Sequence, residues 1–152
     1  MGLLFRLRPA APAYDAERER AAEARARELM RSVVSDEEFA MYEELGFVSV
    51  PGGGAGYAYL LYPHRPIVAY ETATGRLLTE YCVRFHDHGD PAAGERLPDA
   101  DDVLARWMSL RGGERELVAS ANLDAPGRQH DPVRIRRDLD ALRAWRAASG
   151  RG

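Results

Sequence analysis

The chain has 152 residues, of which 45% are hydrophobic and 30% are charged, and its formal net charge is −3. This length suits one domain whose core needs neither metals nor disulfides, and the small net charge argues against a general nucleic-acid or membrane binder. All 21 basic residues are arginine, a bias that indicates a bacterial protein from a GC-rich genome.

The N-terminal part of the chain is predicted to be a tail followed by a helix. Residues 1–14 are expected to be flexible because two prolines interrupt any regular element there. Residues 15–34 are rich in Ala, Glu and Arg and predict a helix. Ala22, Ala26, Leu29 and Val33 recur on one narrow stripe with Met30 beside it, and only the second half of the stripe is expected to dock firmly.

A second helix is predicted directly after the first. Ser35 and Glu38 have the spacing of a capping box, in which each side chain hydrogen-bonds the backbone of the other residue. Gly46 suits the left-handed position that ends many helices. These two signals define the second helix more sharply than any other element.

The periodicity then changes to that of β-strands. Apolar and aromatic runs predict strands over 47–50, 57–62, 67–71 and 76–83. Because the connections between them are short, an antiparallel meander of four strands is expected. Strict alternation would place Leu77, Thr79, Tyr81 and Val83 on one face of the last strand. The glycine-rich loop 52–56 joins two strands, so it does not predict a phosphate-binding loop, which joins a strand to a helix.

Helices are predicted to complete the fold. One begins after Pro98 and stops at Gly112 and Gly113, a short one covers 114–122, and the last begins at Asp131 and runs to about residue 147. The predicted fold is therefore α+β, with two N-terminal helices, a four-stranded antiparallel sheet, and two to three C-terminal helices packed on one sheet face. A single domain over 15–147 and a flexible tail over 148–152 are expected.

The cysteine content and the lengths of the apolar runs bear on the location of the protein. Cys82 is the only cysteine, so no disulfide can form within the chain and nothing indicates an oxidising compartment. No apolar run approaches the ~20 residues of a membrane-spanning helix, and the first residues lack the order of a signal peptide. A cytoplasmic location without a membrane partner is expected by elimination.

One short segment after the last strand combines several metal-ligand residue types. Cys82, His86, His88 and Asp90 lie within nine residues of each other, and zinc sites often combine a ligand on a strand with others on the following loop. One interpretation is therefore that the protein is a small metal-binding protein or a metal-dependent enzyme, with zinc as the metal. The alternative is that Cys82 is a buried apolar residue and that 86–90 is a solvated turn.

The last helix is rich in arginine. Arg134, Arg136, Arg137, Arg143 and Arg146 lie along it, and a nucleic-acid accessory protein is a further interpretation. Projected on a helix, these arginines spread around most of the circumference instead of forming one stripe. The alternative is that they flank an apolar stripe and pair with acidic residues elsewhere.

The predicted sheet carries five of the seven tyrosines: Tyr57, Tyr59, Tyr62, Tyr70 and Tyr81. Tyrosine combines apolar area with a polar tip and is common in binding surfaces, although it is also an ordinary strand residue. The sequence contains no Gly-x-Ser-x-Gly nucleophile motif and no other convincing catalytic set. The leading interpretation is a non-catalytic binding, adaptor or regulatory protein without a cofactor. It would recognise a protein partner, or a second copy of itself, through the tyrosine-bearing sheet face or the N-terminal helix.

Overall fold

The computed structural model of the protein describes residues 16–83, 96–121 and 129–150. Two helices come first, α1 (Ala16–Val33) and α2 (Asp36–Leu45). Four strands follow: β1 (Val48–Pro51), β2 (Tyr57–Leu61), β3 (Ile67–Glu71) and β4 (Leu77–Tyr81). Two more helices complete the order, α3 (Asp99–Ser120) and α4 (Pro132–Ala148). The predicted α+β fold is confirmed, although the expected break at Gly113 is a kink within α3, where φ and ψ are −170° and 63°.

The sheet is the predicted antiparallel meander, with the strand order β1-β2-β3-β4. The pairing of β3 with β4 shifts in register beside Ala69 and Tyr70, which pair with Thr79 and Leu77. An extra residue in β4 at this point changes the alternation of its side chains. Leu77 and Tyr81 therefore pack on opposite faces of the sheet, whereas strict alternation had placed them on one face.

Both faces of the sheet are buried. Successive side chains of a strand point to opposite faces, and β2 carries apolar side chains on each of its two faces. Tyr59 and Leu61 pack with residues of α1 and α3 in what we call the α1–α3 core. Ala58 and Leu60 pack with residues of α4, including Ile135, in what we call the α4 core. Helices α3 and α4 therefore cover opposite faces of the sheet, and not one face as predicted, since a sheet apolar on both sides needs a cover on each.

Helix α1 docks through a different stripe from the one predicted. Ala26, Met30 and Val34 are buried at spacings of four residues, whereas Leu29 and Val33 are exposed. The sequence offers apolar residues for both stripes. The structure uses the stripe that inserts Met30, the largest of the fully buried side chains, into the α1–α3 core.

The start of α2 also connects the helices to each other. The predicted capping box is present, and Gly46 ends the helix with φ of 81°. The buried carboxylate of Glu38 accepts hydrogen bonds from the Ser35 amide at 3.0 Å, the Trp107 indole at 3.0 Å and the Arg111 guanidinium at 3.1 Å. Burial alone would raise the pKa of Glu38, but these donors outweigh it and lower the pKa. One carboxylate therefore joins the end of the α1–α2 connection to the middle of α3.

Replacing Glu38 with alanine should lower the free energy of unfolding by about 3 kcal/mol, because a helix cap is lost and the half-buried indole of Trp107 loses its acceptor. Glu37→Ala in the same turn is the matched control and should change it by less than about 0.5 kcal/mol. Urea titrations followed by circular dichroism would measure both.

The pH dependence gives a second test of the Glu38 network. The folded-state pKa of Glu38 is depressed, so its contribution is complete above the unfolded pKa of about 4.3 and is lost as the pH falls through the folded pKa. The difference in unfolding free energy between wild type and Glu38→Ala should therefore shrink in acid. A difference that stays constant from neutral pH to acid would contradict the network.

Candidate functional site

A cleft of about 460 Å³ lies between the β3–β4 hairpin and α4. The hairpin contributes residues 74–77 and the helix contributes Pro132, Arg136, Leu139, Asp140 and Arg143. This volume lies within the range of ligand-binding clefts in proteins. The cleft is therefore our candidate functional site.

The hairpin wall is held in place by its turn. The Glu71 amide donates to the Arg76 carbonyl and the Gly75 amide donates to the Glu71 carbonyl, both at 2.8 Å. Gly75 has φ of 73°, in the left-handed region that favours glycine. A Cβ on Gly75 would lie 3.6 Å from Leu139 Cδ1, so the turn rests directly against α4.

The helical wall follows from the way α4 docks. Asp131 caps the helix through the Val133 amide, as its sequence predicts, and Pro132 occupies the first turn. Leu139 belongs to the buried stripe of α4. Arg136 and Arg143 are seven residues apart, so they lie within about 20° of each other around the axis and about 10 Å apart along it. They therefore flank Leu139 on the side of the helix that faces the hairpin.

The cleft carries an excess of positive charge. Among the lining residues in the described ranges, the guanidiniums of Arg76, Arg136 and Arg143 are set against the single carboxylate of Asp140. Arg143 lies 3.4 Å from Asp140, and these side chains are 67% and 66% exposed. Arg76 lies 3.8 Å from Glu71 just outside the cleft. Because long, exposed ion pairs contribute little, these guanidiniums remain able to bind an external anion.

The structure separates the five arginines that the sequence groups together on the last helix. Arg136 and Arg143 line the cleft. Arg134 and Arg137 are exposed on other sides of α4, and Arg146 is half-buried. Arg137 lies about 100° from Arg136 around the axis. The five residues therefore form no continuous basic stripe.

The five tyrosines do not share one exposed surface either. Tyr57, Tyr59 and Tyr81 gather on the α1–α3 core, with centroid separations of 5.7 Å and 6.3 Å between neighbouring rings. Tyr62 and Tyr70 belong to the α4 core on the opposite face. Tyr59, Tyr62 and Tyr70 are only 3%, 4% and 5% exposed. Three of the five tyrosines are thus core residues, and the five are divided between the two faces of the sheet.

The hydroxyls of two tyrosines converge on Glu114, just after the kink in α3. Glu114 accepts hydrogen bonds from Tyr59 at 2.6 Å, from Tyr57 at 2.8 Å and from the Gly53 amide at 2.7 Å. The Tyr59 hydroxyl, followed by the other two donors, lowers the pKa of the Glu114 carboxyl against the opposing effect of burial. Burial and the nearby carboxylate raise the pKa of Tyr59. This cluster fixes the glycine-rich loop on the sheet.

The predicted metal ligands are placed only in part. Cys82 is half-buried just after β4, whereas His86, His88 and Asp90 lie outside the described residues. Within the ranges that are described, no group of three or more His, Cys, Asp or Glu side chains is arranged to hold a metal ion. The zinc interpretation therefore stays a prediction.

Comparison with known proteins adds no relative. No protein-family model matches the chain, and neither curated proteins nor solved structures give a match. Across the segments that the structure describes, no helix has the length and apolar character needed to cross a membrane.

Sequence reasoning missed Arg76 and Asp140 as residues of the site. Arg76 lies 60 positions before Arg136, and no local pattern connects a hairpin turn with the last helix. The sequence does show that Gly75, which marks a tight turn, is followed directly by the cation Arg76. Only the docking of α4 on the second sheet face brings these groups together.

Replacing Glu114 with alanine should lower the free energy of unfolding by about 2 kcal/mol, because the buried Tyr59 hydroxyl loses its acceptor. It should also speed hydrogen exchange at the Gly53 amide, which donates to the same carboxylate. Glu116→Ala, an exposed neighbour on α3, is the control and should leave both unchanged. Unchanged exchange at Gly53 in Glu114→Ala would show that the loop does not depend on this carboxylate.

Proposed function

We propose that the protein is a non-catalytic binding protein that recognises an acidic segment of a protein partner in the cleft between the β3–β4 hairpin and α4. The observation that carries the proposal is the convergence of Arg76, Arg136 and Arg143 on one cleft. Clusters of arginine are a recurring means of recognising acidic motifs in proteins. The proposal keeps the kind of function that the sequence suggests and moves it from the tyrosines to a different surface.

The shape of the cleft favours a peptide over a nucleic acid. Leu77, Pro132 and Leu139 give it apolar lining between the guanidiniums, which suits an apolar side chain next to a carboxylate. A nucleic-acid surface would require cations that follow a phosphate backbone over a longer distance. Arg134 and Arg137 are exposed but do not line the cleft, so they do not extend its row of cations.

Binding of a short fluorescein-labelled peptide, one leucine flanked on both sides by glutamates, would test the proposal by fluorescence anisotropy. Arg136→Ala/Arg143→Ala should weaken binding about tenfold, because each charge contact contributes up to ~1 kcal/mol. Both side chains are exposed, so the melting temperature should not change. Binding should also weaken as salt is raised.

Arg134→Ala/Arg137→Ala is the matched control, since it removes the same charge from the same helix outside the cleft. This control should leave the affinity for the peptide within about twofold of wild type if the peptide contacts only the arginines of the cleft. Equal losses in the two double variants would mean that only overall charge matters and would overturn the proposal.

Labelled single-stranded and duplex DNA form a second arm. Tighter binding of either DNA, lost in Arg136→Ala/Arg143→Ala, would replace the protein partner with a nucleic acid.

A further inference from the structure

We infer that the acidic group held in the cleft is a phosphate monoester on a serine, threonine or tyrosine of the partner, so that recognition depends on phosphorylation. This inference rests on the function proposed above and specifies its ligand. Three features of the cleft support it: its charge, the arrangement of its guanidiniums, and its size.

The charge of the cleft matches a dianion. Three guanidiniums and one carboxylate among the described lining residues leave an excess of two positive charges. A phosphate monoester carries about −1.5 to −2 at neutral pH, whereas a glutamate side chain carries −1. Glu71 also faces Arg76, but the Thr74 hydroxyl donates to its carboxylate, and its distance of 3.8 Å from Arg76 is long for an ion pair. Glu71 therefore leaves Arg76 able to turn towards a ligand.

The guanidiniums reach the cleft from two walls. Arg136 and Arg143 come from successive turns of α4, on either side of Leu139, and Arg76 comes from the hairpin opposite. A phosphate monoester has three terminal oxygens, each able to accept from a separate guanidinium. A carboxylate has two oxygens in one plane and would engage three guanidiniums on two walls less completely.

The remaining space suits the residues that carry the phosphate. A volume of about 460 Å³ is larger than one phosphate group requires. Leu77 and Pro132 offer apolar surface beside the guanidiniums for the neighbouring part of the peptide. A free inorganic anion would leave this apolar surface uncovered, so the ligand is expected to bind more tightly as a phosphopeptide than as phosphate alone.

Three versions of the glutamate-flanked peptide, with phosphoserine, glutamate or serine at one position, would test the inference by anisotropy. The phosphoserine peptide should bind about tenfold more tightly than the glutamate peptide at neutral pH, since it brings the second negative charge. This advantage should shrink at pH 5, because the second pKa of the phosphate is about 6. Inorganic phosphate should compete only weakly.

Arg76→Ala should reduce the preference for phosphoserine over glutamate towards one, because it removes the guanidinium of the opposite wall. Arg65→Ala removes an exposed arginine from the β2–β3 turn and should leave the preference unchanged.

Equal affinity for the phosphoserine and glutamate peptides, with both weakened in Arg136→Ala/Arg143→Ala, would overturn this inference and leave the proposed function intact. Binding of neither peptide would overturn both. A phosphoserine preference that survives all three arginine substitutions would place the phosphate elsewhere and overturn the inference.

Discussion

The burial of both faces of one four-stranded sheet is the constraint on which the remaining structure depends. The two central strands are apolar at consecutive positions, and Leu60, Leu61, Ile67 and Val68 are at most 1% exposed. Consecutive residues of a strand face opposite ways, so each side of the sheet must be covered. Helices α1 and α3 cover one side and α4 covers the other. The cleft is a consequence of this arrangement, because it forms where α4 crosses the hairpin at the edge of the sheet.

Carboxylates hold the covering helices together, and this use of acidic residues bears on the charge of the cleft. Glu23 of α1 accepts from the Tyr42 hydroxyl of α2 at 3.1 Å and from the Ala100 amide of α3 at 3.3 Å. Glu38 joins α2 to α3, and Glu114 joins α3 to the β1–β2 loop and to β2. These acids accept from hydroxyls, an indole and backbone amides as well as from arginines. Arginines on α4 are therefore not needed to neutralise them, and a chain with net charge −3 can present a local excess of cations.

Local signals in the sequence predicted the helices and strands well. They could not predict how these elements pack against each other, because that depends on residues distant in sequence. The Ser35–Glu38 capping box, Gly46 and the Asp131 cap mark helix ends through contacts within a few residues. The stripe of α1 that docks could not be predicted, because apolar residues occur on two adjacent stripes and the choice depends on how Met30 fits its neighbours. The cleft was hidden for a similar reason, since its two walls are distant in sequence and α4 was expected on the same face as α3. The tyrosines were counted as one set, although an odd spacing such as that between Tyr59 and Tyr62 separates residues onto opposite faces.

The structure also explains why the cleft is a better candidate than the tyrosines for binding a partner. A buried tyrosine whose hydroxyl already donates to a carboxylate, as Tyr62 does to Asp138 at 2.7 Å, would have to lose that hydrogen bond and its packing before it could contact another molecule. Arg143 pairs with Asp140 on the surface, and such an exposed pair contributes little to stability. If Arg143 left Asp140 to pair with an anion of a partner, the folded protein would therefore lose little stability. Residues that contribute least to the fold are thus the ones most able to serve recognition, and in this protein they converge where α4 meets the β3–β4 hairpin.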